Sequence, residues 1–204
     1  MSRPRTPATS RPRTGAAHTL RVIGGEWRGR RIQFPPVEAI RPTPDRVRET
    51  LFNWLQQDVR GARCLDLYAG SGALGLEALS RGAASVVFVD AEPAVVRHLA
   101  ATLSALGCDR GRVVGADATR FLEGAATPFD IVFVDPPYAA RALEGVCRAL
   151  DARGWVRPGG LAYLEDRATE GEPALPAGWT LLRSKRAGEV GYHLARREPP
   201  GNEQ

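Results

Sequence analysis

A glycine-rich turn and an acidic residue twenty positions after its start are the first residues whose spacing suits a chemical role. Gly70, Gly72 and Gly75 stand between an apolar run and an apolar helical pattern. Glycines let a backbone turn sharply and approach a ligand, and a helix N-terminus offers free N–H donors. Asp90 ends the next apolar run, where a carboxylate can bind both hydroxyls of a ribose. The pattern predicts a site for a nucleotide-like cofactor.

Asp66 narrows the choice of cofactor. It lies inside the first strand-like run, four residues before Gly70. A carboxylate there would repel a pyrophosphate but not the cationic amino-acid end of S-adenosylmethionine. We therefore expect S-adenosylmethionine, with Asp66 beneath its ammonium group, directly or through water. A nicotinamide dehydrogenase is the rival from another enzyme class, and it predicts a hydride-transfer constellation that the sequence does not show.

The tetrapeptide Asp135-Pro136-Pro137-Tyr138 ends another apolar run. It matches the (Asp/Asn)-Pro-Pro-(Tyr/Phe) signature of methyltransferases that act on exocyclic amines of bases. Asp135 and the Pro136 carbonyl can each accept a hydrogen bond from such an amine, which favours a pyramidal nitrogen and disperses its developing positive charge. The prolines suit a rigid turn, and Tyr138 is expected to stack on the base. An ordinary strand-ending turn is the alternative interpretation.

Other residues complete the predicted cofactor site. Asp117 either accepts a hydrogen bond from an adenine amine, beside the Ala118 N–H, or caps the helix that follows it. Thr43 is a good N-cap for a helix that has Pro44 at its first position. The residues expected around the cofactor are Asp66, Tyr68, Ala69, Gly70, Ser71, Gly72, Asp90, Ala91, Asp117, Ala118 and Thr43.

Strand and helix patterns alternate regularly from residue 63 onwards. Predicted strands span 63–68, 85–90, 112–115 and 130–134, and they lead to predicted helices at 72–81, 93–106, 118–124 and 140–152. Continuous apolar strands in this order indicate a parallel sheet with helices on both faces. The glycine turn and the acids at 90, 117 and 135 then meet beyond the carboxyl ends of the strands, where such sheets bind ligands. Three further strands, at 161–165, 179–186 and 190–197, are expected to close the sheet with an antiparallel hairpin.

Positive charge is concentrated at the N-terminus. Residues 1–19 carry a net charge of +4, residues 20–50 carry +3, and residues 51–204 carry −2. That distribution is typical of a polyanion contact on one part of a molecule, although a solubilising tail is the alternative for the first segment. Residues 20–34 predict a β-hairpin, in which Trp27 either stacks on a base or packs against the main domain. The residues expected to contact RNA are Arg21, Trp27, Arg28, Arg30, Arg31, Arg41 and Arg46.

The chain divides into four predicted regions. A disordered basic tail covers 1–19, a hairpin and helix cover 20–60, a catalytic domain covers 61–198, and a short tail covers 199–204. Three widely spaced cysteines suggest a reducing compartment and neither a disulfide framework nor a metal site. No apolar run approaches the roughly 18 residues that a membrane span needs, so a cytoplasmic protein is expected.

Four segments together resemble the RsmD family, the bacterial methyltransferases that modify N2 of a guanine in 16S ribosomal RNA. The segments are 21–31, 41–55, 66–81 and 133–138, and the resemblance runs from about residue 21 to residue 197. It implies an α/β, Rossmann-like class I S-adenosylmethionine-dependent methyltransferase fold. The implied sheet is seven-stranded and mostly parallel, with the last strand inserted antiparallel, and a small β-hairpin precedes it. Asp90 departs from the family, in which a glutamate is common at the ribose position.

The resemblance also implies a substrate, a partly assembled small ribosomal subunit. A monomer is the default for an enzyme that must approach such a particle. The nearest alternative is the same chemistry on adenine N6 of DNA or on a protein glutamine. A catalytically idle RNA-binding or assembly factor is a third interpretation.

Overall fold

A computed structural model describes residues 18–34, 43–137 and 143–199 of the chain. Tyr138, Arg41 and the arginines of the first 17 residues lie outside the described residues. The strands are β1 (His18–Arg21), β2 (Arg31–Phe34), β3 (Arg63–Asp66), β4 (Ser85–Asp90), β5 (Gly111–Gly115), β6 (Phe129–Val134), β7 (Val156–Arg167), β8 (Trp179–Ala187) and β9 (Val190–Arg197). The helices are α1 (Asp45–Trp54), α2 (Ala73–Ser80), α3 (Pro93–Ala105), α4 (Ala118–Leu122) and α5 (Leu143–Ala152).

Seven of the described strands form one sheet in the order β5-β4-β3-β6-β7-β9-β8. The pairs β3–β4, β3–β6, β4–β5 and β6–β7 are parallel, whereas β9 runs antiparallel to both β7 and β8. The expectation of a mostly parallel sheet with an inserted antiparallel strand is confirmed. Because chain order reverses between β3 and β6, the carboxyl edge there is a topological switch point, the usual ligand position in such sheets.

Each face of the sheet has its own apolar core. The hairpin, α1, α2 and α3 cover one face, which we call the hairpin face, and α4 and α5 cover the opposite face. Alternate residues of β7 show the division: Tyr163 packs into the first core, and Leu164 packs into the second. Alternation of this kind follows from the two-residue period of a strand. Both faces of the central strands are therefore covered by apolar side chains and shielded from solvent.

The N-terminal hairpin is packed tightly against the sheet domain. Strands β1 and β2 pair antiparallel, with Leu20 opposite Ile32, and both side chains are buried. Trp27 in the connecting turn is only 3% exposed, and its backbone N–H donates to Ser80 Oγ at 2.9 Å. The turn therefore uses Trp27 for packing, and the ring has no open face for a base. Of the two roles considered for Trp27, the structure has the packing one.

Helix α1 begins one residue later than its sequence predicts. Pro44 occupies the N-cap position with extended backbone and no side-chain cap, and Asp45 is the first helical residue. The predicted capping role of Thr43 is wrong, because its hydroxyl instead donates to Asp135 Oδ2 at 3.4 Å. Arg48 of α1 is 1% exposed, and its guanidinium donates to the Thr43 carbonyl at 3.3 Å and to Asp45 Oδ1 at 2.6 Å.

Other boundaries shift by a few residues. Strand β3 ends at Asp66 instead of 68, and α4 ends at Leu122 instead of 124. Strand β7 is far longer than the predicted 161–165, since it begins at Val156 and continues to Arg167. The extra length lets β7 pair with β6 on one side and β9 on the other. The strand propensity of the sequence does not by itself show with which strands β7 pairs.

Candidate active site

The predicted site residues meet at the carboxyl edge of the sheet, and the strand register fixes their order. Asp66 on β3 is opposite Phe88 on β4 and Phe133 on β6. Asp90 follows Phe88 by two residues and Asp135 follows Phe133 by two residues, so the two carboxylates flank the turn that follows Asp66. Neighbouring strands lie about 4.8 Å apart, which places these groups within the span of one small ligand.

The glycine turn connects β3 to α2 in the way that the sequence predicts. Gly70 and Gly72 have φ angles of +49° and +77°, a region that suits glycine, and Gly72 is the N-cap of α2. Gly72 N–H donates to the Ala69 carbonyl at 2.7 Å, and Ser71 is buried inside the turn. The turn thus points the N-terminus of α2 toward the sheet edge.

Asp66 lies beneath the turn and is 2% exposed. Its Oδ2 accepts from Gly75 N–H at 2.9 Å, which ties the first turn of α2 to β3. A Cβ on Gly75 would lie 2.2 Å from the Phe88 ring, so the helix can approach the sheet this closely only with glycine there. Burial raises the pKa of Asp66 to about 8, against the Gly75 hydrogen bond, and the charges of Asp135 and Asp90 add to the rise.

Asp90 and Asp117 each bind backbone amides. Asp90 Oδ2 accepts from Gly70 N–H and its Oδ1 accepts from Glu92 N–H, both at 2.8 Å, so Asp90 holds the glycine turn in place. Each carboxylate oxygen retains a second lone pair for a ligand hydroxyl. Asp117 caps α4, because its Oδ1 accepts from Thr119 and Arg120 N–H groups at 2.9 and 3.1 Å. The capping role considered for Asp117 is therefore present in the structure.

The smaller members of the predicted set lie along the same edge. Tyr68 is half-buried, and burial raises the pKa of its phenol, with the charge of Asp117 contributing further. Ala69 and Ala118 are buried, whereas Ala91 is exposed between β4 and α3. All of them lie beside the glycine turn or at the adjacent strand ends.

Asp135 follows directly after β6 and is half-buried. Burial raises the pKa of its carboxyl to about 7, and the Thr43 hydroxyl opposes that rise. Pro136 is buried and Pro137 is exposed. The segment that leaves β6 is therefore in contact, through Asp135, with the residue two positions before α1. Sequence reasoning placed Asp135 at this edge but missed its contact with Thr43.

A second buried carboxylate, Glu165, lies beside Asp135 and was not among the predicted residues. Val134 of β6 is opposite Leu164 of β7, so Asp135 and Glu165 occupy the next position of the register. Glu165 is 3% exposed, and Oε2 accepts from the Tyr163 hydroxyl at 2.7 Å. Burial, then the charge of Asp135, raises the pKa of Glu165 to about 8. The sequence feature that could have identified Glu165 is its position as an acidic residue at the end of the predicted strand 161–165.

The predicted RNA-contact arginines fall into two groups. Arg21 Nε lies 3.7 Å from Asp45 Oδ2 at the start of α1, and Arg31 is opposite Arg21 in the hairpin register, so both lie toward the carboxyl edge. Exposed Arg46 lies in the first turn of the same helix.

Arg28 and Arg30 instead lie near the C-terminal end of α2, since the hairpin turn docks on Ser80. Eight helical residues separate that end from the glycine turn by about 12 Å.

Glu77 of α2 holds the hairpin and α1 together. Its carboxylate accepts from Ile23 and Gly24 N–H groups, both at 2.8 Å, and from Arg81 Nε at 2.7 Å. Arg48 NH1 lies 3.7 Å from Glu77 Oε2, too far for a hydrogen bond, so that contact is purely electrostatic. Other Arg48 nitrogens donate to carbonyl and carboxylate oxygens of α1 and the hairpin. The network fixes the hairpin and α1 relative to α2, the helix that follows the glycine turn.

Among residues 18–34, 43–137 and 143–199, no group of three or more His, Cys, Asp or Glu side chains is placed to hold a metal ion. In the same part of the chain, no helix is long and apolar enough to cross a bilayer.

The sheet order, the antiparallel β9 and the glycine turn after β3 define the class of Rossmann-like methyltransferases. The family model described as Conserved hypothetical protein 95 matches residues 20–196. Ribosomal RNA small subunit methyltransferase D of Escherichia coli K12 is 46% identical over 191 residues, which cover 94% of this chain and 96% of the relative. The protein of the same name from Haemophilus influenzae is 40% identical, covering 86% and 92%.

Solved structures agree with the sequence relatives. The yhhF protein of Escherichia coli superposes with a TM-score of 0.84 at 45% identity, over 90% of this chain and 100% of that one. The chain therefore belongs to the RsmD family, and it is a methyltransferase. A nicotinamide dehydrogenase is excluded by this membership.

Proposed function

We propose that the protein transfers a methyl group from S-adenosylmethionine to the exocyclic N2 amine of a guanine in small-subunit ribosomal RNA. The observation that carries the proposal is the position of Asp135 beside the glycine turn, at the edge where β3 and β6 adjoin. Membership of a family whose curated relatives are named for small-subunit ribosomal RNA methylation supports the substrate class.

The charges around the glycine turn fit the proposed cofactor. Asp66, Asp90 and Asp135 surround the turn with carboxylates, which suit a ligand that carries hydroxyls and cationic groups and disfavour a pyrophosphate. When bound, the cofactor supplies an electrophilic methyl group on a sulfonium. Asp90 would bind the ribose hydroxyls, Asp66 would lie under the ammonium group, and Asp117 would face the adenine amine.

Asp135 would act on the amine of the base. A guanine amine is a poor nucleophile because its lone pair is delocalised into the ring. A carboxylate that accepts one N–H bond, together with the Pro136 carbonyl accepting the other, favours the pyramidal nitrogen and stabilises the positive charge that develops on it. Tyr138 would stack on the extruded base, an interaction of about 1–3 kcal/mol. In-line orientation of amine, methyl and sulfur contributes further acceleration.

Asp135 and Glu165 lie at neighbouring positions of the register between β6 and β7. Burial raises the pKa of both carboxyls, and the charge of Asp135 raises that of Glu165 further. Two like charges this close disfavour ionisation of both groups at once. The Thr43 hydroxyl donates to Asp135 and favours its ionised form, the form that accepts a hydrogen bond from an amine.

The RNA would approach from the hairpin face. Arg21, Arg31 and Arg46 lie near the carboxyl edge, and we assign them to phosphates around the target base. Arg28 and Arg30 would contact RNA farther from it. The roles of Arg41 and of the N-terminal tail rest on the sequence alone. The protein would work as a cytoplasmic monomer on a partly assembled small subunit.

The chemistry is tested with methyl-labelled S-adenosylmethionine, unmodified small subunits and, separately, their naked RNA. Digestion to nucleosides and mass analysis should give labelled N2-methylguanosine, and the label should disappear with Asp135→Ala. The ratio of label in particles to label in naked RNA reports whether assembly is recognised. Label in N6-methyladenosine would assign the same chemistry to another amine. No label in either RNA would overturn the ribosomal substrate.

Cofactor binding is tested by thermal shift. S-adenosylmethionine should raise the melting temperature, NAD should not, and Asp90→Ala should weaken the shift. Asp109→Ala is the matched control, because Asp109 is exposed in the turn before β5, away from the glycine turn. Equal shifts for the wild type and Asp90→Ala would contradict the assignment of Asp90.

A further inference from the structure

A groove opens on the hairpin face between the C-terminal half of α1 and strands β8 and β9. Its volume is about 340 Å³, and its lining includes Asn53, Trp54, Gln56, Arg183 and Arg196. Amides, an aromatic ring and two guanidinium groups are the side chains that recognise phosphates and bases. Asp58 is the acid in this lining. The groove belongs to neither the glycine turn nor the hairpin.

Two arginines of the groove lining and Lys185, which lies over the ring of the lining residue Trp54, form a line of three cations. Lys185 is opposite Tyr192, Arg183 is opposite Leu194, and Arg196 follows Leu194 by two residues on β9. Because every second residue of a strand shares a face, the cations succeed each other at intervals of about 7 Å. Lys185 and Arg183 are exposed, and no ion pair joins any of the three to another described residue. The sequence had suggested that excess positive charge is confined to the N-terminus.

The line of cations begins level with the active-site edge. Glu165, the register neighbour of Asp135, is opposite Tyr192, which in turn is opposite Lys185. Three strand spacings therefore separate Lys185 from Asp135, about 14 Å at the backbone. Lys185 Nζ lies 5.9 Å from the Trp54 ring centre, and Trp54 stacks on Tyr192 at 5.5 Å. This stack holds the upper end of the groove in a fixed position.

We propose that this groove, with Lys185, Arg183 and Arg196, is a second contact surface for the RNA backbone. It would hold the substrate strand along the β8 and β9 side of the active site. The inference rests on the proposed ribosomal RNA substrate, but not on which base is methylated. RNA running from the catalytic edge down the groove would place successive phosphates against the three cations. The target base would then be fixed from both sides.

Strand β8 is an edge strand, and edge strands carry charges to prevent pairing with other chains. A charge of either sign serves that purpose. The double charge reversal Arg183→Glu/Lys185→Glu therefore separates the two roles. Protection of the edge survives the reversal, whereas a phosphate contact does not. The matched control is Arg97→Glu/Arg112→Glu, because both arginines are exposed on α3 and β5 at the other end of the sheet.

Binding of naked 16S ribosomal RNA is measured by filter binding across a series of salt concentrations, with methylation of small subunits measured in parallel. We expect Arg183→Glu/Lys185→Glu to weaken binding at least tenfold and to raise KM with kcat nearly unchanged. The slope of log affinity against log salt should shrink by about 1.5, since each phosphate contact contributes about 0.7–0.9. S-adenosylmethionine affinity and melting temperature should match those of the control.

Equal RNA affinity for the groove variant and the control would overturn the proposal. A loss seen only with particles and not with naked RNA would assign the groove to a ribosomal protein, and this too would overturn it. Wild-type protein that neither binds naked 16S ribosomal RNA nor methylates small subunits would instead overturn the proposed substrate. These failures are distinguishable because the wild type is measured beside both variants.

Discussion

Replacing Glu77 by alanine tests whether the hairpin is fixed to α2 by one buried carboxylate. The Glu77 side chain is fully buried and accepts from two hairpin amides, Ile23 and Gly24. Leaving a buried donor without a partner costs about 1–3 kcal/mol. Removing one partner of a buried ion pair costs about 3–5 kcal/mol, and because Arg48 keeps Asp45 as a second carboxylate partner we expect the lower end of that range.

These contributions share one network and do not add fully. We expect Glu77→Ala to lower the free energy of unfolding by about 4–6 kcal/mol. For a chain of this size, 1 kcal/mol corresponds to about 2–4 °C, so the melting temperature should fall by roughly 10–20 °C. Glu77→Gln keeps one carbonyl acceptor in place of two carboxylate oxygens, so its effect should be intermediate.

The assay is urea unfolding followed by circular dichroism, combined with hydrogen exchange of the Ile23 and Gly24 amides. Both amides should lose protection in Glu77→Ala before the sheet unfolds. Glu49→Ala on the exposed side of α1 is the control, and it should change stability by less than about 0.5 kcal/mol. If Glu77→Ala lowers the free energy of unfolding by less than about 1 kcal/mol and both amides stay protected, Glu77 does not hold the hairpin on α2.

Three further predictions concern the site itself. Burial raises the pKa of Asp66 to about 8, so the folded protein is most stable when this carboxyl is protonated, and its free energy of unfolding should fall by roughly 3–5 kcal/mol as the pH rises from 4 to 8. Urea titrations at several pH values should show a smaller fall for Asp66→Asn, and an unchanged fall would contradict the raised pKa. The Thr43 hydroxyl lowers the pKa of Asp135, so Thr43→Val should shift the acidic side of the pH–rate profile of methylation to higher pH by about half a pH unit. A profile that does not shift would contradict the contact between Thr43 and Asp135. Gly75→Ala should destabilise by about 1–3 kcal/mol in thermal unfolding, because the new methyl meets Phe88, and unchanged stability would show that the helix moves freely.

The strand pattern was enough to place the main site residues. Asp90 and Asp135 each end a continuous apolar run, and parallel strands bring such ends to a single edge. The sequence also indicated the inserted antiparallel strand, through the resemblance of its motifs to a known family. These features are local, or they follow from topology that the alternation of strands and helices determines.

Long-range contacts could not be predicted in this way. Arg48 and Glu77 are 29 positions apart, and only packing of α1 against α2 makes a buried pair of them. Thr43 looked like a helix cap because its neighbours suit one, yet its hydroxyl contacts Asp135 across the fold. Glu165 resembled an ordinary polar strand end, and its burial depends on which strand pairs beside β6.

The central claim is that Asp135 acts on the amine during methyl transfer. The most direct measurement is the single-turnover methylation rate of Asp135→Ala, with small subunits and S-adenosylmethionine both saturating. We expect a rate at least 10²-fold below that of the wild type, in the range typical for losing one group that stabilises transition-state charge, with cofactor affinity nearly unchanged. A rate within threefold of the Asp109→Ala control would show that Asp135 does not act on the amine.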